Sequence, residues 1–224
     1  MIGVGTSLLF DRRAGKAGPP IPPFNEAMVD AWFMSGFSNN DKPSSIRGVK
    51  GNEVVLKNFA STSESGFGEG AYEGGLVFDG LDDYGICTGL PILDDYTVIC
   101  RRALENNAKN VVASKSVVVG NGAFIFEYGN NSTYSFSEHT YGLAVNLKDS
   151  VSYQTKNSYN GSTITVGNAD DTDTLTLGII REGDSRLLKG AIYYFALYNK
   201  SLTPEEIETE KERLNEEWLK RKTE

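Results

Sequence analysis

The chain has little of several things, and each shortage excludes something. Among 224 residues there are two cysteines, one histidine and two tryptophans. Cys87 and Cys100 lack the Cys-x-x-Cys or Cys/His spacing of redox and zinc sites. They sit in the apolar runs GICTG and YTVICRR, where a free thiol packs as a small hydrophobe; a disulfide between neighbouring strands is the other use of such a pair. His139, in Ser137-Glu138-His139-Thr140, cannot build a zinc site without further N or S donors and is expected at the surface. Bases are outnumbered by acids, 22 to 30, and the net charge of −8 repels phosphate backbones, so nucleic acid is not an expected partner.

Long apolar runs are also missing, and none approaches the ~20 residues of a membrane span. The short apolar start, Met1 to Phe10, has Arg12 and Arg13 behind it rather than ahead, the reverse of a secretory signal. Localisation stays open between retention in the cell, another export route and prior removal of a leader. Cytoplasmic synthesis followed by virion or surface assembly is one such course.

What the chain does have is turns. Its 24 glycines exceed the usual ~7% of residues, and glycine tolerates positive φ without steric cost. Residues 1–24, with Gly15, Gly18, Pro19, Pro20, Pro22 and Pro23, read as an arm or linker, since proline removes backbone donors. From Val29 onward short runs of period two, rich in β-branched and aromatic residues, read as strands. They cover 76–78, 96–101, 110–119, 124–128, 141–147, 151–153, 162–166, 174–181 and 191–198. In the fourth, Phe124, Phe126 and Tyr128 are expected on one face, Ile125 and Glu127 on the other. Gly120-Asn121-Gly122, Gly129-Asn130-Asn131 and Asn160-Gly161 supply hairpin turns. The fold class is therefore all-β, a sandwich or barrel.

One helix breaks the pattern. Thr203-Pro204-Glu205-Glu206 reads as a capping box with proline at the first helical position. Leu202 and Ile207 sit where a hydrophobic staple would, and Ile207, Leu214 and Trp218 share a stripe. The helix is expected over 204–222, packed on the sandwich of residues 25–203 or projecting from it.

Two stretches resemble a known family. Gly75-Leu76-Val77-Phe78-Asp79-Gly80-Leu81-Asp82-Asp83-Tyr84 is similar to the L-x-F-D-G-x-D-D-Y stretch of laminin-G-like jelly rolls. Gly190-Ala191-Ile192 through Tyr198-Asn199-Lys200-Ser201-Leu202-Thr203-Pro204-Glu205-Glu206-Ile207 is similar to their closing strand. Asp30-Ala31-Trp32-Phe33 is a weaker echo of their opening strand. The family is the concanavalin A-like lectin/glucanase superfamily, and the resemblance covers roughly 25–210. It implies a jelly roll of two antiparallel sheets, one concave, as found in carbohydrate-binding, adhesive and bacteriophage surface proteins and in glucanases. It also implies a calcium site at Asp79, Asp82 and Asp83, whose oxygens suit that hard cation; the other use of these residues is a turn with solvated carboxylates. From the residues themselves, Phe78 and Tyr84 are expected to face one side, with a turn at Asp79-Gly80 between them.

Catalytic patterns are scarce. The family's glucanase spacing, E-x-D-x-x-E, places two carboxylates across a glycosidic bond. It is missing here, with Glu127 the only acid in its strand. Gly183-Asp184-Ser185 lacks the strand-to-helix elbow of a serine esterase and reads as a turn. Asn168 to Asp173 reads as a solvated acidic loop, without the rest of an EF-hand. Tyr128, Tyr134, Tyr141, Tyr153 and Tyr159, with Asn130, are candidates for stacking on and hydrogen bonding to sugars; core or cross-strand packing is their other use. The expected function is a non-catalytic binding module for a glycan or other surface polymer, and not an enzyme. The alternatives are an assembly module of a bacteriophage or cell-surface appendage, with protein neighbours, and a divergent glycoside hydrolase working through Glu127.

Overall fold

The computed structural model describes residues 23–105, 111–116, 123–128, 141–143, 148–164 and 169–224. Most of the expected arm, the turns at 120–122 and 129–131, Asn168 and His139 lie outside the described residues. So do residues 110, 117–119, 144–147, 165 and 166 of the expected strands.

In chain order the strands are β1 (Met28–Phe33), β2 (Ser45–Arg47), β3 (Glu53–Lys57), β4 (Gly66–Phe67), β5 (Leu76–Asp79), β6 (Tyr84–Cys87), β7 (Thr97–Leu104) and β8 (Val111–Lys115). They continue with β9 (Phe124–Tyr128), β10 (Tyr141–Leu143), β11 (Ser150–Thr155), β12 (Ser158–Tyr159), β13 (Ser162–Thr163), β14 (Leu175–Leu177) and β15 (Lys189–Tyr198), before the helix α1 (Pro204–Thr223). The first sheet runs β13-β12-β11-β7-β15-β5-β4, with β1 also paired to β15; the second runs β10-β9-β8-β14-β6-β3-β2. The two sheets form the expected sandwich. Its strand pairs are antiparallel except β9 and β10, which run parallel.

Alternation along β7 shows how the layers arise. Val98, Cys100 and Leu104 enter the core between the sheets, while Ile99 and Ala103 join the outer cluster of the first sheet. That outer cluster is where α1 packs, through Ile207, Leu214 and Trp218, with Leu202 just ahead of the helix. Burying each of the large side chains contributes ~1.5–3 kcal/mol. The capping box is present: Thr203 Oγ1 accepts from the Glu206 amide at 3.2 Å, and the Glu206 carboxylate accepts from the Thr203 amide at 2.8 Å. Both cysteines are buried and free. Asn160 and Gly161 both take positive φ, 45° and 82°, and close β12 onto β13 in the expected tight turn.

Two expectations about facing are corrected. β5 belongs to the first sheet and β6 to the second, so Asp79 to Asp83 form a corner between layers rather than a hairpin. Phe78 therefore enters the core, whereas the Tyr84 hydroxyl donates to Glu182 at 3.0 Å. In β9, Phe124 and Phe126 enter the core as expected, and Ile125 joins Val111 and Ile180 elsewhere. Glu127 does not follow Ile125. Its φ of 52° breaks the alternation and brings its carboxylate to Arg102 of the opposite sheet.

Asp30 secures the opening strand. Its carboxylate is buried and accepts four hydrogen bonds of 2.8–2.9 Å, from the amides of Ala31, Lys50 and Asn52 and from Asn52 Nδ2. A Cβ at Gly48 would lie 2.3 Å from Asp30 Oδ1, so glycine there is what lets the loop close onto the acid.

Candidate functional site

The corner after β5 brings together the three aspartates singled out from sequence. Asp79, Asp82 and Asp83 can each offer one oxygen such that all three lie within 4.8 Å of one another. Gly80 makes the turn with φ of 80°, and Asp79 Oδ1 accepts the Leu81 amide at 2.7 Å. Asp83 is the buried member. Its oxygens accept from Ser65 Oγ at 2.9 Å and from the Asp79 amide at 3.0 Å. Burial lifts its carboxyl to about 6, against the opposing pull of these two hydrogen bonds. Ligands around calcium sit 2.3–2.6 Å from the ion, so oxygens at this mutual spacing fit such a cation, with Asp83 oriented by its two donors.

Asp79 also forms one wall of a cleft of about 430 Å³ on the outer side of the first sheet. Val77, two residues before Asp79 and on the same side of β5, contributes apolar surface. Tyr72, from a 3₁₀ turn over Gly70–Tyr72, supplies an aromatic ring. Glu64, Glu105 and Lys189 complete the polar rim. Sheet register sets this assembly: Lys189 of β15 pairs with Asp79 of β5, and the Glu105 amide bonds the Lys189 carbonyl at 3.0 Å. Glu105 accepts from the Tyr72 hydroxyl at 3.3 Å and lies 3.1 Å from Lys189 Nζ. The Tyr72 hydroxyl is raised above its ordinary pKa by burial and by this carboxylate.

Tyr72, Glu105 and Lys189 were not expected from sequence. They come from three distant parts of the chain: the β5–β15 register sets Lys189 beside Asp79, the pairing of β7 with β15 brings Glu105 to Lys189, and the Tyr72 hydroxyl meets Glu105 from its 3₁₀ turn.

A larger depression, of about 800 Å³, lies between residues 23–27 and the start of α1. Its charged groups are largely satisfied by one another, Lys200 with Glu206 at 2.8 Å and Arg213 with Glu210. The cleft at Asp79 is taken as the candidate because it joins the Tyr72 ring to the three-aspartate corner.

The described tyrosines are divided between the two sheets. Tyr128 and Tyr141 lie on the adjacent strands β9 and β10 of the second sheet. Tyr153 lies on β11 of the first sheet, with Lys211 Nζ 4.6 Å from its ring centroid. Tyr134 and Asn130 fall outside the described residues. Of its two expected uses Tyr159 takes packing: it is buried, and its hydroxyl donates to Glu127 at 2.6 Å. Asp170, expected in a solvated loop, is buried and paired with Lys115.

No family model and no curated protein matches the chain. Among solved structures it is similar to Trypanosoma rangeli sialidase in complex with 2,3-difluorosialic acid, a covalent intermediate, with TM-score 0.53, 13% identity, and coverage of 84% of this chain and 33% of that one. The same organism's sialidase with sialic acid gives 0.50 and 13%, and with the inhibitor DANA 0.50 and 15%, each covering 86% of this chain and 33% of the other. At these identities the likeness is one of fold. The chain spans about a third of the length of the sialidases it matches.

These matches correct one expectation. With sialidases, which are glycosidases, as its structural neighbours, the reading "not an enzyme" does not stand. That reading rested on a missing carboxylate pair and a missing serine-esterase elbow, and not every route of glycoside hydrolysis uses either of these. The Tyr159–Glu127 contact is buried beside Arg102. There it ties the two sheets together.

Proposed function

We propose that the chain recognises carbohydrate at the Asp79 corner. The observation that carries this reading is the meeting of the Tyr72 ring, the Val77 side chain and a rim of hydrogen-bonding groups in one cleft. Its volume of about 430 Å³ falls in the range of small-ligand sites. The ring and apolar surface take the CH face of a pyranose, and the rim takes its hydroxyls. Asp79, Asp82 and Asp83 hold a calcium ion whose remaining positions are open to the same hydroxyls. The laminin-G-like motifs and the likeness to part of carbohydrate-processing sialidases support the reading.

Calorimetry against a broad panel of oligosaccharides, in calcium and in EDTA, tests it. The expected result is binding to at least one, weakened roughly tenfold by Tyr72→Ala, the loss of about 1.4 kcal/mol of stacking, and weakened also by EDTA or Asp82→Asn. A correctly folded protein that binds no member of the panel overturns it.

A further inference from the structure

We infer that the cleft discriminates by charge, accepting neutral or cationic sugars and rejecting sialylated ones; this rests on the carbohydrate reading above. The described lining residues include three carboxylates, Glu64, Asp79 and Glu105, against a single ammonium, Lys189. That ammonium is already engaged, 3.1 Å from Glu105 Oε2. Recognition of a sugar carboxylate calls for a cation left to face it, best an arginine fork that binds both oxygens. No arginine stands among these lining residues. A glycan carboxylate entering the cleft would instead face Glu64 and Glu105.

The filter belongs to the cleft's own side chains and is strongest without calcium: an ion at the corner with open positions would itself accept a glycan carboxylate, whereas in its absence Glu64, Asp79 and Glu105 face one lysine. Neutral pyranoses pass this filter because hydroxyls can donate to carboxylates. An aminosugar gains from it. Two like charges at contact distance, even with nearly full water screening, weaken binding roughly tenfold or more.

Lactose, cellotriose, an N-acetylglucosamine trimer, a glucosamine trimer and sialyllactose, titrated into the full chain at low salt in EDTA and again in calcium, test this, with the charge gap read in EDTA. The expected result is that a neutral sugar or the glucosamine trimer binds, and that sialyllactose binds roughly tenfold more weakly than lactose or not at all. Glu64→Gln with Glu105→Gln keeps shape and acceptor oxygens, and should shrink that gap. Lys189→Gln, which removes the ammonium alone, should widen it and serves if the double variant fails to fold. Sialyllactose binding as tightly as the best neutral sugar, or more tightly, overturns the charge inference while leaving carbohydrate recognition standing. Failure of all five to bind overturns both.

Discussion

Arg102 and Glu127 face one another across the interior of the sandwich, one from β7 of the first sheet and one from β9 of the second. Their Nη2–Oε1 distance is 2.5 Å, and both side chains are fully buried. The remaining donors and acceptors are used as well: Arg102 reaches Ser150 Oγ at 2.5 Å and Ser152 Oγ at 3.1 Å, and Glu127 accepts from Tyr159. Breaking such a pair strands a charge in the core, at a cost of about 3–5 kcal/mol. Arg102→Met and Glu127→Leu are each expected to lower stability strongly in urea unfolding. The double variant Arg102→Met/Glu127→Leu should recover a large part of the loss, because it leaves neither charge unpaired. A double variant that is additive in its damage would show that the pair is not a coupled unit.

Trp218 links the helix to the cleft. Its Nε1 donates to the Gly74 carbonyl at 2.8 Å, beside the turn that carries Tyr72, and its ring meets Tyr193 edge-on at 5.7 Å. Trp218→Ala should cost about 3–5 kcal/mol. Trp218→Phe removes the donor and part of the buried ring volume, so it should cost less than alanine, and it is expected to weaken sugar binding in protein that still folds. Unchanged affinity in Trp218→Phe would separate the helix from the site.

Glu210 gives the fold a pH signature. Its carboxyl is buried and accepts from the Tyr198 hydroxyl at 2.9 Å. Burial raises its pKa above the ordinary glutamate value, although that hydrogen bond and Arg213 pull the other way. Between the unfolded and the raised folded value the native state holds more protons than the unfolded chain. Stability should therefore fall as pH rises through that window. Glu210→Gln is expected to flatten this part of the stability–pH curve. An unaltered slope in the variant would assign the pH dependence to other groups.

How much of this could be read from sequence differs by element. The helix was legible because its signals are local: Thr203, Pro204 and Glu206 lie within four residues and act on their own backbone. The long strands β7 and β15 were legible from alternation. Short strands such as β2 and β4 were not, since two or three residues carry no period. The three aspartates were legible as a group because one five-residue corner holds them. The cleft beside them was not, because Tyr72, Glu105 and Lys189 are far apart in sequence and meet only in the fold. Glu127 was assigned to the wrong side for a physical reason, as alternation assumes extended backbone and its φ is 52°.

The two thiols should be unreactive in the folded state. Burial pushes Cys87 up to about 11 and Cys100 well above its ordinary value, so neither presents a thiolate near neutral pH. A disulfide-exchange reagent at pH 8 is expected to label neither in native protein and both in denaturant. Prompt labelling of native protein would contradict the packing around them.

The central claim is that sugars bind at the Asp79 corner, and backbone amide chemical-shift mapping tests it most directly. Titration of the isotope-labelled chain with the tightest-binding neutral oligosaccharide should move the amides of Tyr72, Val77, Asp79, Glu105 and Lys189 together, with those around Arg102 and Glu127 unchanged. Shifts confined to β9 and β10, or to the exposed side of α1, would contradict it.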